Sequence, residues 1–144
     1  MALELNAVIP ATPDQVFSIL SDLNQTREWM PAIQRIERLD DKPFGVGTSW
    51  RETRQAGKRT MESTIHVVAC ERGSRIGLRV ESSAMEGDME FLLKPTGPGT
   101  EVQYRAQMKG RGVMRLMGGT INRMMAEEDA DLLTRLERQV AKAR

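Results

Sequence analysis

VQYRAQMKGRGVMRLMGGTINRMMAEEDADLLTRL, residues 102–136, changes its hydrophobic period partway along. Val102, Tyr104, Ala106 and Met108 alternate with polar residues, as on a half-buried strand. Beyond them Met114, Met117, Ile121, Met125, Leu132 and Leu136 fall in one stripe at 3.6 residues per turn. A last strand therefore hands over to a long helical stretch from about Arg111 to Ala143. Gly118-Gly119 lies inside the stretch. It marks where the regular helix begins, bends it, or lets it approach a neighbour closely.

Upstream, the two-residue period continues back to residue 33. Met61, Ser63, Ile65 and Val67 share one strand face. Ile76, Leu78 and Val80 share another, and Met89, Phe91 and Leu93 a third. Ile33 to Leu39 reads as a strand with a bulge, because its isoleucines are three apart. Phe44-Gly45-Val46-Gly47 reads as a turn before a strand from Thr48 to Gln55. Ala56-Gly57-Lys58 and Pro95-Thr96-Gly97-Pro98-Gly99 read as further turns. Short links between successive strands favour an antiparallel meander with one apolar face.

Residues 2–9 suit a first strand. Thr12, Pro13 and Gln15 then form a capping-box start for a short helix carrying Val16, Phe17, Ile19 and Leu20. A second short helix is expected from Gln25 to Met30, with Asn24 as its cap and Pro31 ending it. The whole reads as a single α+β domain over residues 1–144.

Composition narrows the function classes. A net charge of +1 gives no global field toward nucleic acid or an anionic membrane. One local asymmetry stands out. Arg105, Lys109, Arg111, Arg115 and Arg123 precede any acid until Glu127, Glu128, Asp129 and Asp131. The single cysteine, Cys70, allows no internal disulfide and no cysteine-built metal site. The only histidine, His66, precedes it by four strand residues, roughly 13 Å, too far for a Cys–His couple. A metal and a cofactor are not expected. With no leader pattern and no long apolar run, the expectation is a cytoplasmic protein without membrane insertion.

Aromatics are only 4% of residues, whereas the chain holds ten methionines. Met108, Met114, Met117, Met124 and Met125 lie in or beside the helical tail. Flexible thioethers suit an accommodating cavity wall, although by periodicity alone a methionine stripe more often fills a solid core. The order of elements carries a resemblance. Ala11-Thr12-Pro13-Asp14-Gln15-Val16-Phe17 follows a first strand, and Trp29-Met30-Pro31 comes soon after. Val46-Gly47-Thr48-Ser49-Trp50 then opens the third strand, and a terminal helix follows the last. In this the chain resembles the Bet v 1-like/START superfamily, in its bacterial polyketide cyclase/dehydrase-type (SRPBCC) branch. The resemblance implies a helix-grip fold: a seven-stranded antiparallel sheet wrapped around a long C-terminal helix, with two short helices after strand 1. It also implies an apolar cavity between sheet and helix, and a lipid- or polyketide-like ligand.

On that reading the ligand-facing set is Trp29, Trp50, Glu52, Ser63, Ile65, Leu78, Met89, Phe91, Tyr104, Met117, Ile121 and Met125. Glu52 and Arg54 share the face of Trp50. A carboxylate there gains basicity by desolvation and is the candidate acid/base, unless it forms a pair with Arg54 or Arg51 at the cavity rim or the strand register is inverted. Tyr104 is the second catalytic candidate, as a donor to a ligand oxygen, or else a core tyrosine. Glu128 is a second inward acid or sits where the helix leaves the sheet. His66 should face away. Three functions stay open: a carrier of a small apolar ligand, a cyclase/dehydratase using Glu52, and a protein-interaction module to which the basic run contributes. Homodimerisation is compatible with each.

Overall fold

The computed structural model describes residues 3–56 and 58–143. Ala2 of the expected first strand and Gly57 of the expected Ala56–Lys58 turn lie outside them. The described strands are β1 (Leu3–Ile9), β2 (Ile33–Arg38), β3 (Ser49–Ala56), β4 (Arg59–Glu71), β5 (Arg75–Glu81), β6 (Met85–Thr96) and β7 (Gly99–Gly110). They form one antiparallel sheet in the order β1-β7-β6-β5-β4-β3-β2. The meander from β2 to β7 is therefore the expected one, and β1 joins it beside β7. The register of β2 on β3 shifts between Ile33 and Arg35, as the isoleucine spacing foretold.

Helix α1 (Pro13–Leu20) begins with the full capping box. The Gln15 amide donates to Thr12 Oγ1, and the Gln15 side chain accepts from the Thr12 amide. Helix α2 (Thr26–Trp29) is shorter than expected, and Asn24 does not cap it. Asp22 organises the turn instead, accepting from the Asn24 backbone and from the Gln25 side chain.

The tail is not one uninterrupted helix. A 3₁₀ segment (Gly112–Met117) leads into α3 (Gly118–Asp129), and α4 (Leu132–Ala143) follows after a break at Ala130-Asp131. Of the three readings of Gly118-Gly119, the structure selects the first, because regular helix begins there. Asn122 ties α3 to β7. Its amide donates to the Met108 carbonyl at 2.9 Å and accepts from the Met108 N–H at 3.3 Å. Helix α4 is held to α2 by Gln139 donating to Gln25 and by Arg135 donating to the Trp29 carbonyl.

The two halves of the tail pack differently. Leu132, Leu133, Leu136 and Val140 of α4 join Ile9, Val16, Ile19 and Val102 in one core. Trp50, Ile65, Val67 and Val80 form a second cluster under the middle of the sheet. The α3 residue Met125 is only partly buried against the first. Along the water-facing side run ion pairs such as Arg75–Glu90 and Arg105–Glu4. Pairs this exposed contribute about 0–1 kcal/mol each and do not position anything inside.

Candidate functional site

Between the sheet and the start of the tail lie two adjoining chambers. The larger, about 210 Å³, is lined by β3, β4, β5, β6 and β7 on one side and by α3 and the 3₁₀ segment on the other. Seven of the ten methionines face it: Met61, Met85, Met89, Met108, Met114, Met124 and Met125. Gly87 on β6 makes room for one of them. A Cβ there would stand 2.2 Å from Met108 Sδ and 2.2 Å from the Gln107 carbonyl. The smaller chamber, about 50 Å³, lies under α1 and α2 and holds Trp29, Phe44, Trp50 and Phe91 among its walls. Glu52, Arg54, Ile65 and Met89 belong to both chambers and form the partition.

The partition is the polar centre of the interior. The Arg54 guanidinium donates to Glu52 at 3.2 Å. Both side chains are largely buried, with 23% and 9% exposure. Burial works against the Arg54 charge. The carboxylates of Glu52, Asp129 and Glu128 outweigh it and hold the guanidinium proton more firmly than usual. Asp129, at the end of α3, is buried at 5% exposure. Burial pushes its carboxyl above the ordinary range, Arg54 pulls it part of the way back, and Glu128 adds to the rise. The buried Tyr104 interacts with the same carboxyl group, and burial together with Asp129 holds its phenol protonated. One Asp129 oxygen, Oδ1, and the indole nitrogens of Trp29 and Trp50 are buried without a protein hydrogen-bond partner.

The folded Asp129 carboxyl lies above its free value of 3.8. Between those two values the folded protein binds more protons than the unfolded chain, so stability falls as pH rises through the interval. Asp129→Asn removes this titration and keeps an oxygen for Tyr104. Its melting temperature should gain on the wild type as pH rises from 4 toward 7, while the other acids cancel in the difference. A difference independent of pH would contradict the upward shift that burial gives this carboxyl.

Most residues expected from sequence meet here. Trp29, Trp50, Leu78, Phe91 and Tyr104 line the small chamber, Ser63, Ile121 and Met125 the large one, and Glu52, Ile65 and Met89 both. Met117 does not: it ends the 3₁₀ segment, 44% exposed, lining neither chamber. The stripe places Met117 inward only if helix runs through it, and regular helix starts only at Gly118. Glu128 is exposed and stands at the rim of the large chamber. The inward acid is its neighbour. Leu133 and Val140, absent from the expected stripe, are buried too and rotate the covered face toward Asp129. Glu52 points inward as expected, but Arg54 occupies it. His66 faces Glu81 on the far side of β4, and burial raises the Cys70 thiol, so no nucleophile arises there.

No described helix is long and apolar enough to cross a membrane, and no described cluster of His, Cys, Asp or Glu could hold a metal. The family model for polyketide cyclase/dehydrase and lipid transport proteins matches residues 2–141. No curated protein matches the sequence. Solved structures share the fold. TTHA0849 from Thermus thermophilus superposes with a TM-score of 0.83 at 19% identity, covering 99% of both chains. A START superfamily protein from Mycobacterium smegmatis gives 0.82 at 16% identity, again over 99% of both. The Zhui aromatase/cyclase from a Streptomyces species gives 0.78 at 13% identity, over 99% of this chain and 94% of that one.

Proposed function

Because the chain belongs to the polyketide cyclase/dehydrase and lipid transport family, we propose that it carries a small apolar ligand bearing an oxygen function. The observation behind this reading is the 210 Å³ methionine-lined chamber that ends at buried polar groups. Apolar burial drives binding at ~25 cal/mol per Å². Asp129 Oδ1, on a residue in the wall of that chamber, supplies the orientation. An unpartnered buried polar atom costs about 1–3 kcal/mol, which a ligand oxygen or hydroxyl recovers. The chamber lies below the roughly 300–1,000 Å³ of drug-sized sites, so the ligand is modest in size.

The test is a thermal-shift panel of decanol, decanoate and 2-naphthol, with native mass spectrometry. At ligand concentrations near 100 Kd the fold should gain about 2.7 kcal/mol. Val80→Phe places a ring in the large chamber, which Val80 lines. It should suppress the shift while the unliganded protein still melts cooperatively. No shift and no adduct with any member would reject the carrier reading.

A second reading rests on Asp129. An acid whose proton affinity burial raises, beside Tyr104 and Arg54 in an apolar chamber, has the makings of a general acid for cyclisation or dehydration. Asp129 is better placed than Glu52, whose carboxylate is bound by Arg54. Turnover of a poly-β-ketone mimic that Asp129→Asn abolishes, with binding retained, would establish it. Turnover surviving that change would end it.

A further inference from the structure

Eight large apolar side chains stand exposed among the described residues, and four of them fall within one short run. They are Val113 at 88%, Leu116 at 95%, Met117 at 44% and Met124 at 57% exposure. Val113 and Leu116 sit on the 3₁₀ segment, which starts at Gly112 in the left-handed region (φ 58°) and ends before Gly118-Gly119. The same run is uniformly basic, with no acid between Glu101 and Glu127. Lys109 is paired with Glu86, and Arg111 donates to the Ser82 carbonyl. Arg115 and Arg123 are exposed and form no ion pair among the described residues. On its inner side this run is the chamber wall, through Met114, Ile121 and Met125. Met124 belongs to both sides, since it lines the chamber and is exposed.

We propose that this face docks on the surface of an anionic lipid bilayer. Val113 and Leu116 enter the boundary between headgroups and acyl chains, and Arg115 and Arg123 meet the phosphates. This sets the Met124 side of the chamber against the lipid. Two features favour a bilayer over a protein. Four exposed apolar side chains are few beside the roughly 20–30 residues that each partner commonly brings to a stable protein interface. Exposed apolar tips beside arginines without ion-pair partners among the described residues suit a fluid anionic surface, which demands no shape complementarity. With a net charge of only +1, the attraction is local and acts within a Debye length of about 8–10 Å. Docking does not depend on whether the chamber holds a ligand.

The experiment is co-sedimentation of the full chain with phosphatidylcholine vesicles, with and without phosphatidylglycerol, at low and high salt. Binding is expected only with phosphatidylglycerol and should weaken with salt. Arg115→Ala/Arg123→Ala should reduce partitioning by roughly tenfold or more. Leu116→Asp should abolish it with an unchanged melting temperature, because Leu116 is already exposed to water. Absence of binding to the anionic vesicles, or equal binding by Leu116→Asp, overturns the proposal. So does a dimer in sedimentation equilibrium that Leu116→Asp dissociates, since a second copy would then cover the face.

Discussion

Replacing Arg54 by methionine should destabilise the protein by about 3 kcal/mol, although methionine fills much of the same space. The change leaves Glu52, at 7% exposure, buried without its counter-ion. Removing one member of a buried ion pair costs about 3–5 kcal/mol, since the survivor's charge stays desolvated. The lower end applies because the guanidinium keeps 23% of its exposure. For a chain of this length the melting temperature should fall by roughly 10 °C. The double variant Glu52→Gln/Arg54→Met should recover a large part of the loss, because the orphaned carboxylate disappears with its partner. A double variant as unstable as Arg54→Met would mean that the guanidinium acts by packing alone.

Leu136→Ala should cost about 3 kcal/mol, whereas Met125→Ala should cost at most about 1 kcal/mol. Both lie on the tail, and sequence pattern puts both in one apolar stripe. Leu136 is fully buried in the core that α4 builds with α1 and β7. Its truncation leaves a cavity among atoms that cannot collapse, which for leucine costs about 2.7–5 kcal/mol. Met125 is half-buried and already borders the large chamber. Its contacts on that side are missing before the mutation, so less is lost. Urea denaturation of the two variants measures the contrast. Equal losses would mean that α3 packs as tightly as α4 and that no chamber lies beneath it.

That contrast also marks how far the sequence could be read. Strand alternation placed Trp50, Glu52, Ser63, Ile65, Met89 and Tyr104 on the inner face, because a two-residue period leaves only two choices per strand. The Thr12–Gln15 box fixed the start of α1, because capping is local chemistry. Helical position is less forgiving. Asp129 and Glu128 both border the stripe of Met125 and Leu132, and the choice between them depends on which neighbours the sheet covers. Leu133 and Val140 carried that signal and point to Asp129. Met117 failed for a similar reason, since its place assumed helix before Gly118. The Glu52–Arg54 pair was visible as one of two outcomes. Whether it lay at a surface or at the partition between two chambers depended on the packing of α3, which lies far along the chain from β3.

The methionine-lined space under α3 should receive an apolar molecule. Trp29 and Trp50 are the chain's two tryptophans, and both line the adjoining small chamber. Titration with a brominated decanol, followed by tryptophan emission, therefore reads the site directly. Saturable quenching with a single ligand per chain, lost in Val80→Phe, is the result expected. Linear, non-saturating quenching that is the same in Val80→Phe would show the bromine reaching the indoles only by collision and would contradict the claim.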